Sequence, residues 1–250
     1  MTMSDFCLQA RVSHPFLILV VVGTSLSGVR AVAQNPDVQQ RLAELKQASA
    51  QNKQELATYT WQEQDTISLK GEVKKQESFQ VQMGPDGKPQ KTPLNAAPPA
   101  APPAQAESGR RGGRVKEHIV ENKKEEYKEY AQKIAALAHS YAPPDPAKLQ
   151  QAQQQGNIKL APGSADNQVQ LQISNYLKPN DSMTITFDKA AKAIQSVQIA
   201  SYLDSPSDAV KIAVQFAKLP EGVNHIAAMT VEGVSKQLKV DVQNSAYKKM

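Results

Sequence analysis

The sequence predicts an α+β fold: a curved antiparallel β-sheet, an incomplete barrel of meander topology, with amphipathic helices packed on one face. Three observations carry this. From Gln168 to Tyr247, apolar and polar residues alternate in one strand-length segment after another. The connections between those segments are short and polar, which suits antiparallel strands, because parallel strands need long crossovers. Ahead of them lie a hairpin pattern and stretches of helical periodicity.

The chain opens like an exported protein. Arg11 and His14 precede the apolar run Phe16 to Val22, and Ala31-Val32-Ala33 follows as a small-x-small cleavage pattern. Residues 1–33 are therefore expected to be a signal peptide. The run is too short for a membrane span, which needs roughly 20 apolar residues. An uncleaved N-terminal anchor is the alternative. The only cysteine, Cys7, lies in the segment to be removed, so residues 34–250 carry no thiol. We read them as a single α+β domain, periplasmic or secreted, with no stable membrane insertion after cleavage.

After Asn35-Pro36-Asp37, the spacing of Val38, Leu42 and Leu45 predicts an amphipathic helix. It weakens through Ala48-Ser49-Ala50. Asn52 with Glu55 three residues on reads as a capping box, so a kink and a second short piece to Ala57 are expected. From Tyr59 the period becomes two. Tyr59, Trp61, Ile67 and Leu69 share one parity, Lys70-Gly71-Glu72 makes a turn, and Val73, Phe79, Val81 and Met83 line the returning strand. Charges sit in both strands on the apolar parity: Glu63 and Asp65, then Lys75 and Glu77. They fit a hairpin that runs past the core into water with cross-strand ion pairs, or else a polar patch at the mouth of a cavity.

Gly84-Pro85-Asp86-Gly87 is a turn. Residues 95–113, rich in Pro, Ala, Gly and Arg, cannot build a core and read as a disordered insertion. Its Arg110 and Arg111, with Arg114, are either a solvated tether or a contact for an anionic surface. Arg114 to Tyr141 is a long helix whose stripe holds Val115, Ile119, Tyr127, Tyr130, Ile134, Leu137 and Tyr141. Pro143-Pro144 ends it. Asp145-Pro146 opens a short helix as N-cap and first-turn proline, and Gly156 closes it. A loop follows from Ala161 to Asn167.

In the meander, Val169, Leu171 and Ile173 share a face, as do Met183, Ile185 and Phe187. The same holds for Val197, Ile199 and Leu203, then for Val210, Ile212, Val214 and Phe216, and last for Leu238, Val240 and Val242. Turns fall at Lys178-Pro179-Asn180-Asp181, Asp188-Lys189, Ser205-Pro206-Ser207-Asp208 and Pro220 to Asn224. The strand from His225 to Gly233 is apolar on both faces and should lie centrally or be covered on both sides.

The formal net charge of +5 is mild and spread along the chain, which argues against a nucleic-acid binder. His118 and Glu121 lie one helical turn apart, yet no second cluster completes a zinc set, so neither metal nor other cofactor is expected. There is no Gly-x-Ser-x-Gly elbow and no phosphate-binding glycine loop between strand and helix. We read the protein as non-catalytic.

The stretch from Tyr59-Thr60-Trp61 through Gly84-Pro85-Asp86-Gly87-Lys88, with Ser140-Tyr141-Ala142-Pro143-Pro144-Asp145-Pro146, resembles a group of uncharacterised secreted proteins of Gram-negative bacteria. In element order the chain is distantly similar to the periplasmic lipoprotein-carrier superfamily, and that resemblance implies an unclosed barrel cupping helices over an apolar cavity. The expectation is a binding or carrier module for an apolar small molecule or lipid. Tyr127, Tyr130, Ile134, Tyr141 and Trp61 would line the site, and Ala200, Ala213 and Ala228 would leave room beside it. The alternative is a cell-envelope structural module with a packed core and a protein partner. Intact-mass measurement on an envelope fraction should find a soluble product that begins at Gln34; a membrane-bound chain retaining Cys7 would contradict the signal peptide.

Overall fold

A computed structural model gives the fold and describes residues 36–94, 113–141 and 144–250, with side chains of the long helix from Glu125 onward. The expected signal peptide, almost all of the 95–113 insertion, and the side chains of His118 and Glu121 lie outside the described residues.

In chain order come α1 (Pro36–Leu56), β1 (Tyr59–Leu69), β2 (Glu72–Met83), β3 (Pro89–Pro93), α2 (Gly113–Tyr141), α3 (Pro146–Gln154) and β4 (Ile158–Pro162). The meander follows as β5 (Gln168–Ser174), β6 (Ser182–Asp188), β7 (Ala193–Tyr202), β8 (Ala209–Lys218), β9 (Asn224–Gly233) and β10 (Leu238–Lys249). The ten strands form one antiparallel sheet in the order β3-β2-β1-β10-β9-β8-β7-β6-β5-β4, curved but not closed into a barrel. The predicted fold class is the observed one. One non-local pairing, β1 with β10, joins the N-terminal hairpin to the C-terminal strand.

Parity sets the two faces. Leu171, Ile173, Met183, Ile185, Phe187, Val197, Ile199, Val210, Ile212, Val214, Val231 and Leu238 point to the core face, where Val38 and Leu45 of α1, Leu149 and Ala152 of α3 and the α2 stripe meet them. Each fully buried aliphatic side chain contributes about 1.5–3 kcal/mol, so this layer holds the domain together. Register shifts at Thr60/Gln62, Ile67/Ser68, Thr186/Phe187 and Gln215/Phe216 add twist and bend, as bulges do. The last of them explains why β9, central as expected, reads as apolar on both sides: the extra residue, Ala227, moves Ile226 onto the core face opposite Phe216.

Four expectations are corrected. Helix α1 is continuous, because Asn52 does not cap a second piece. Its amide donates to the carbonyl of Asn224 and accepts from that residue's N–H, both at 2.6 Å, which pins α1 to the start of β9. Neither five-residue edge strand is expected from the sequence: β3 lies after the Gly84–Gly87 turn in a stretch that carries no expectation, and β4 ends at Pro162, inside the stretch expected to be loop. Lys75 pairs with Glu77 at 2.9 Å within β2 rather than across the hairpin. Finally, Ala200, Ala213 and Ala228 lie on the face away from the core, opposite Lys211, Gln198 and Gln215, so they leave no interior space.

Helix α2 lies close against β9. A Cβ placed on Gly233 would collide with the Tyr130 ring, so glycine is what lets the ring lie on the strand. Gly233→Ala should therefore cost roughly 1–3 kcal/mol of stability by overpacking, measured by denaturant titration. An unchanged midpoint would show that the ring moves freely.

Candidate functional site

The described part of the α2 stripe is a packing surface, and the hydroxyls of Tyr130 and Tyr141 on it are hydrogen-bonded. Ile134 and Tyr141 are fully buried, Tyr130 and Leu137 nearly so, and Tyr127 is half-buried. The Tyr141 hydroxyl donates to the buried Asp181 carboxylate and lies 2.8 Å from Ser201 Oγ. Asp181 also accepts the backbone N–H groups of Tyr176, Leu177 and Lys178 at 2.6–2.9 Å, so one carboxylate fixes both the β5–β6 turn and the end of α2. The Tyr130 hydroxyl lies 3.0 Å from Asp208 and 3.1 Å from Ser235. Lys236 sits over the Tyr127 and Tyr130 rings, 5.6 and 5.1 Å from their centroids. Opposite these residues, Leu171, Met183, Ile185, Phe187, Val210 and Val214 are buried to 1% exposure or less and fill the layer.

Trp61 is not among them. It belongs to a second cluster on the same sheet face, beyond the helix-packed layer, where β9, β10, β1, β2 and β3 meet. Trp61 stacks on Tyr247 at 5.5 Å, and Tyr247 tilts against His225 at 4.2 Å. A bulge at Ala246, which has a positive φ of 53°, turns Tyr247 to this side. Its hydroxyl and the Asn244 amide both donate to the Ile226 carbonyl. Asn244 is the partner of Glu63 across β10–β1, and Phe79 is the partner of Glu63 across β1–β2.

On edge strand β3, Lys91 extends over the Phe79 ring, 5.4 Å from its centroid, to form ion pairs with Glu63 and, at 3.4 Å, Asp65. Glu63 is 7% exposed, so these two acids are not a hairpin running out into water. Burial pushes the Glu63 carboxyl above the usual carboxylate range; Lys91 opposes the shift and Asp65 reinforces it. Burial disfavours the Lys91 ammonium, but Glu63 and Asp65 outweigh it and hold the lysine above its ordinary value. The Tyr247 hydroxyl is also raised, by burial and by the facing Glu63.

Trp61 Nε1, Asp65 Oδ1 and Asn244 Oδ1 are sealed from solvent without a hydrogen-bond partner among the described residues. Each such atom costs about 1–3 kcal/mol, and buried perturbed carboxylates with unpaired neighbours mark a candidate site. Chemically the cluster is a cation acceptor: two carboxylates and an amide oxygen beside aromatic faces, answered by a single ammonium. Of the open depressions on the sheet, one is lined by Ser68, Gly71, Glu232, Gln237, Lys239 and Asp241, and another, lined by Gln64, Gln76, Glu77, Ser78, Phe79 and Pro93, borders the cluster at Phe79. Sequence reasoning placed Trp61, Glu63 and Asp65 on the core parity. It missed Lys91, Asn244, His225 and Tyr247 as their partners.

The buried anchor of α2 gives a pH signature. Burial, then the Asp181 carboxylate, push the Tyr141 hydroxyl well above the ordinary tyrosine value. A group whose pKa is higher folded than unfolded contributes its full stability below the unfolded value and loses it as pH rises. Tyr141→Phe removes that dependence. The stability gap between wild type and this variant should stay flat up to pH ~10 and shrink by about 1.4 kcal/mol per pH unit above it, read from denaturant titrations.

No known protein family matches the chain, and no curated protein does. Among solved structures it is similar to a DUF1329 family protein from Desulfovibrio piger, at 12% identity and a TM-score of 0.42, over 85% of this chain and 92% of that one. A likeness this distant carries no argument about activity.

Proposed function

We propose that the protein is a non-catalytic binding module, exported to the cell envelope as its N-terminal pattern predicts, which engages a partner through the hairpin end of its core face. One observation carries this reading: the core face is divided. Under α2 it is closely packed, with the Tyr130 and Tyr141 hydroxyls both hydrogen-bonded. At the hairpin end it holds buried polar groups that have no partner among the described residues.

A carrier for an apolar ligand needs an underfilled interior. Ile134 at 0% exposure, facing side chains buried to 1% or less, weighs for the packed module over the carrier. Trp61 then serves the partner site, while Tyr127, Tyr130, Ile134 and Tyr141 hold the helix in place.

Ile134→Ala separates the two. In a packed module it leaves a cavity and should cost roughly 2–5 kcal/mol, and wild type should bind no environment-sensitive apolar dye. A smaller loss, with saturable dye binding to wild type that changes in the variant, would rule for the carrier.

A further inference from the structure

Among the described residues, the Glu63–Asp65 cluster is answered only in part. Lys91 brings one positive charge to two carboxylates and reaches Glu63 Oε1 and Asp65 Oδ2. Among the described residues, the acceptors Asp65 Oδ1 and Asn244 Oδ1 stay unpaired. An ammonium offers three donors radiating from one nitrogen. A guanidinium offers five in a plane, in a fork that matches a carboxylate with both oxygens and still has donors to spare. It also lies well on an aromatic face, and Phe79 already receives a cation here.

The cover is slight. Among the described residues, β3 pairs only with β2, it is five residues long and exposed throughout, and the Lys91 side chain is 41% exposed where it shields acids that are 8% and 19% exposed. Moving this one side chain uncovers the acids without disturbing the packed layer under α2.

We propose that Glu63, Asp65, Asn244 and Phe79 form a binding site for a guanidinium group, the arginine side chain of a partner protein, and that Lys91 holds its place in the free protein. This rests on the binding-module reading and names the chemistry of the partner. The site is selective because the incoming cation must bring donors for oxygens that lysine leaves open.

Trp61 is the only tryptophan in the chain and reports directly on the site. The test titrates the blocked tripeptide acetyl-Gly-Arg-Gly-amide into the full chain at fixed ionic strength and follows Trp61 emission. The same peptide with citrulline, the neutral isostere of arginine, is the control. Wild type should respond saturably to arginine and not to citrulline. Lys91→Ala should reach half-saturation at a roughly tenfold lower concentration, the equivalent of about 1.4 kcal/mol of competition removed. Glu63→Gln should bind roughly tenfold more weakly, and Asp65→Asn provides the same arm should Glu63→Gln fail to fold by circular dichroism.

No saturable response in wild type and Lys91→Ala, or an equal response to citrulline, overturns the site. Arginine binding that Lys91→Ala fails to strengthen overturns the place-holding role. The dye and Ile134→Ala measurements probe the other half of the core face, so a negative arginine titration beside a solidly packed α2 would refute the guanidinium site and leave the module reading standing.

Discussion

The antiparallel pairing of β1 with β10 joins segments almost two hundred positions apart in the 250-residue chain, with Leu69 opposite Leu238 and Tyr59 opposite Lys249. Without it the meander would end at β10 with an open edge, and the β1–β2–β3 unit would be a small sheet with little to pack against, marginal by itself in water. The pairing also decides what meets on the core face. Near the turns it matches apolar with apolar, Leu69 with Leu238 and Ile67 with Val240. Further along it sets Asp65 against Val242 and Glu63 against Asn244. One register thus builds both the end of the core and the start of the polar cluster. Because the side-chain period is two, a slip of one residue would send all of them to the solvent side.

The same sheet leaves two edges, and both carry proline. Its two edges, β3 and β4, are neighbours in strand order along the sequence, and α2 and α3 lie on the route between them. Leu94 donates its N–H to Ser78 across β2–β3, so by alternation Gln90 and Thr92 also face inward while Pro89 and Pro93 turn outward. On the other side Gly163 donates to Gln168, which turns Pro162 outward from β4. Proline on an edge removes a donor that another strand would seek. Helices α1, α2 and α3 then cover the core face between the edges, held by contacts that differ in kind: the Asn52 amide for α1, the tyrosine hydroxyls for α2, the Asp145 cap and Leu149 for α3.

Most of this fold was legible because the meander strands are long and one-sided. Leu171, Ile173, Met183 and Ile185 fall on one parity with polar neighbours between them, and the turns carry Pro, Asn, Asp and Gly. The edge strands escaped for a physical reason. Pro89-Gln90-Lys91-Thr92-Pro93 has no apolar alternation, since an edge strand with little to bury needs none, and Ile158-Lys159-Leu160 is too short to show a period. The candidate site was half legible. Glu63 and Asp65 broke the apolar parity visibly, but Lys91 lay in a strand the pattern did not reveal. Tyr247 was hidden by the bulge at Ala246: by simple alternation it falls with Lys239 and Asp241, and only the extra residue brings it beside Trp61. The tyrosine stripe was correctly placed on α2, yet spacing does not tell a ring that packs from one that lines a space. The partners that take up the Tyr130 and Tyr141 hydroxyls, Asp181, Asp208 and Ser235, arrive from turns far along the chain.

Both charged clusters on the core face contain a buried carboxylate, and their contrast carries the functional argument. Asp181 accepts three backbone N–H groups and a tyrosine hydroxyl, so its charge is fully answered and its effect is to lock a turn and a helix end together. Glu63 and Asp65 accept one lysine between them and leave neighbouring polar atoms without partners. Hydrophobic residues of similar volume are often at least as stable as a buried ion pair, so stability alone does not account for this second arrangement. At Asp181 the surroundings are built to complete the carboxylate. At Glu63 and Asp65 the described residues bring a single ammonium to two carboxylates, from a lysine on a short edge strand.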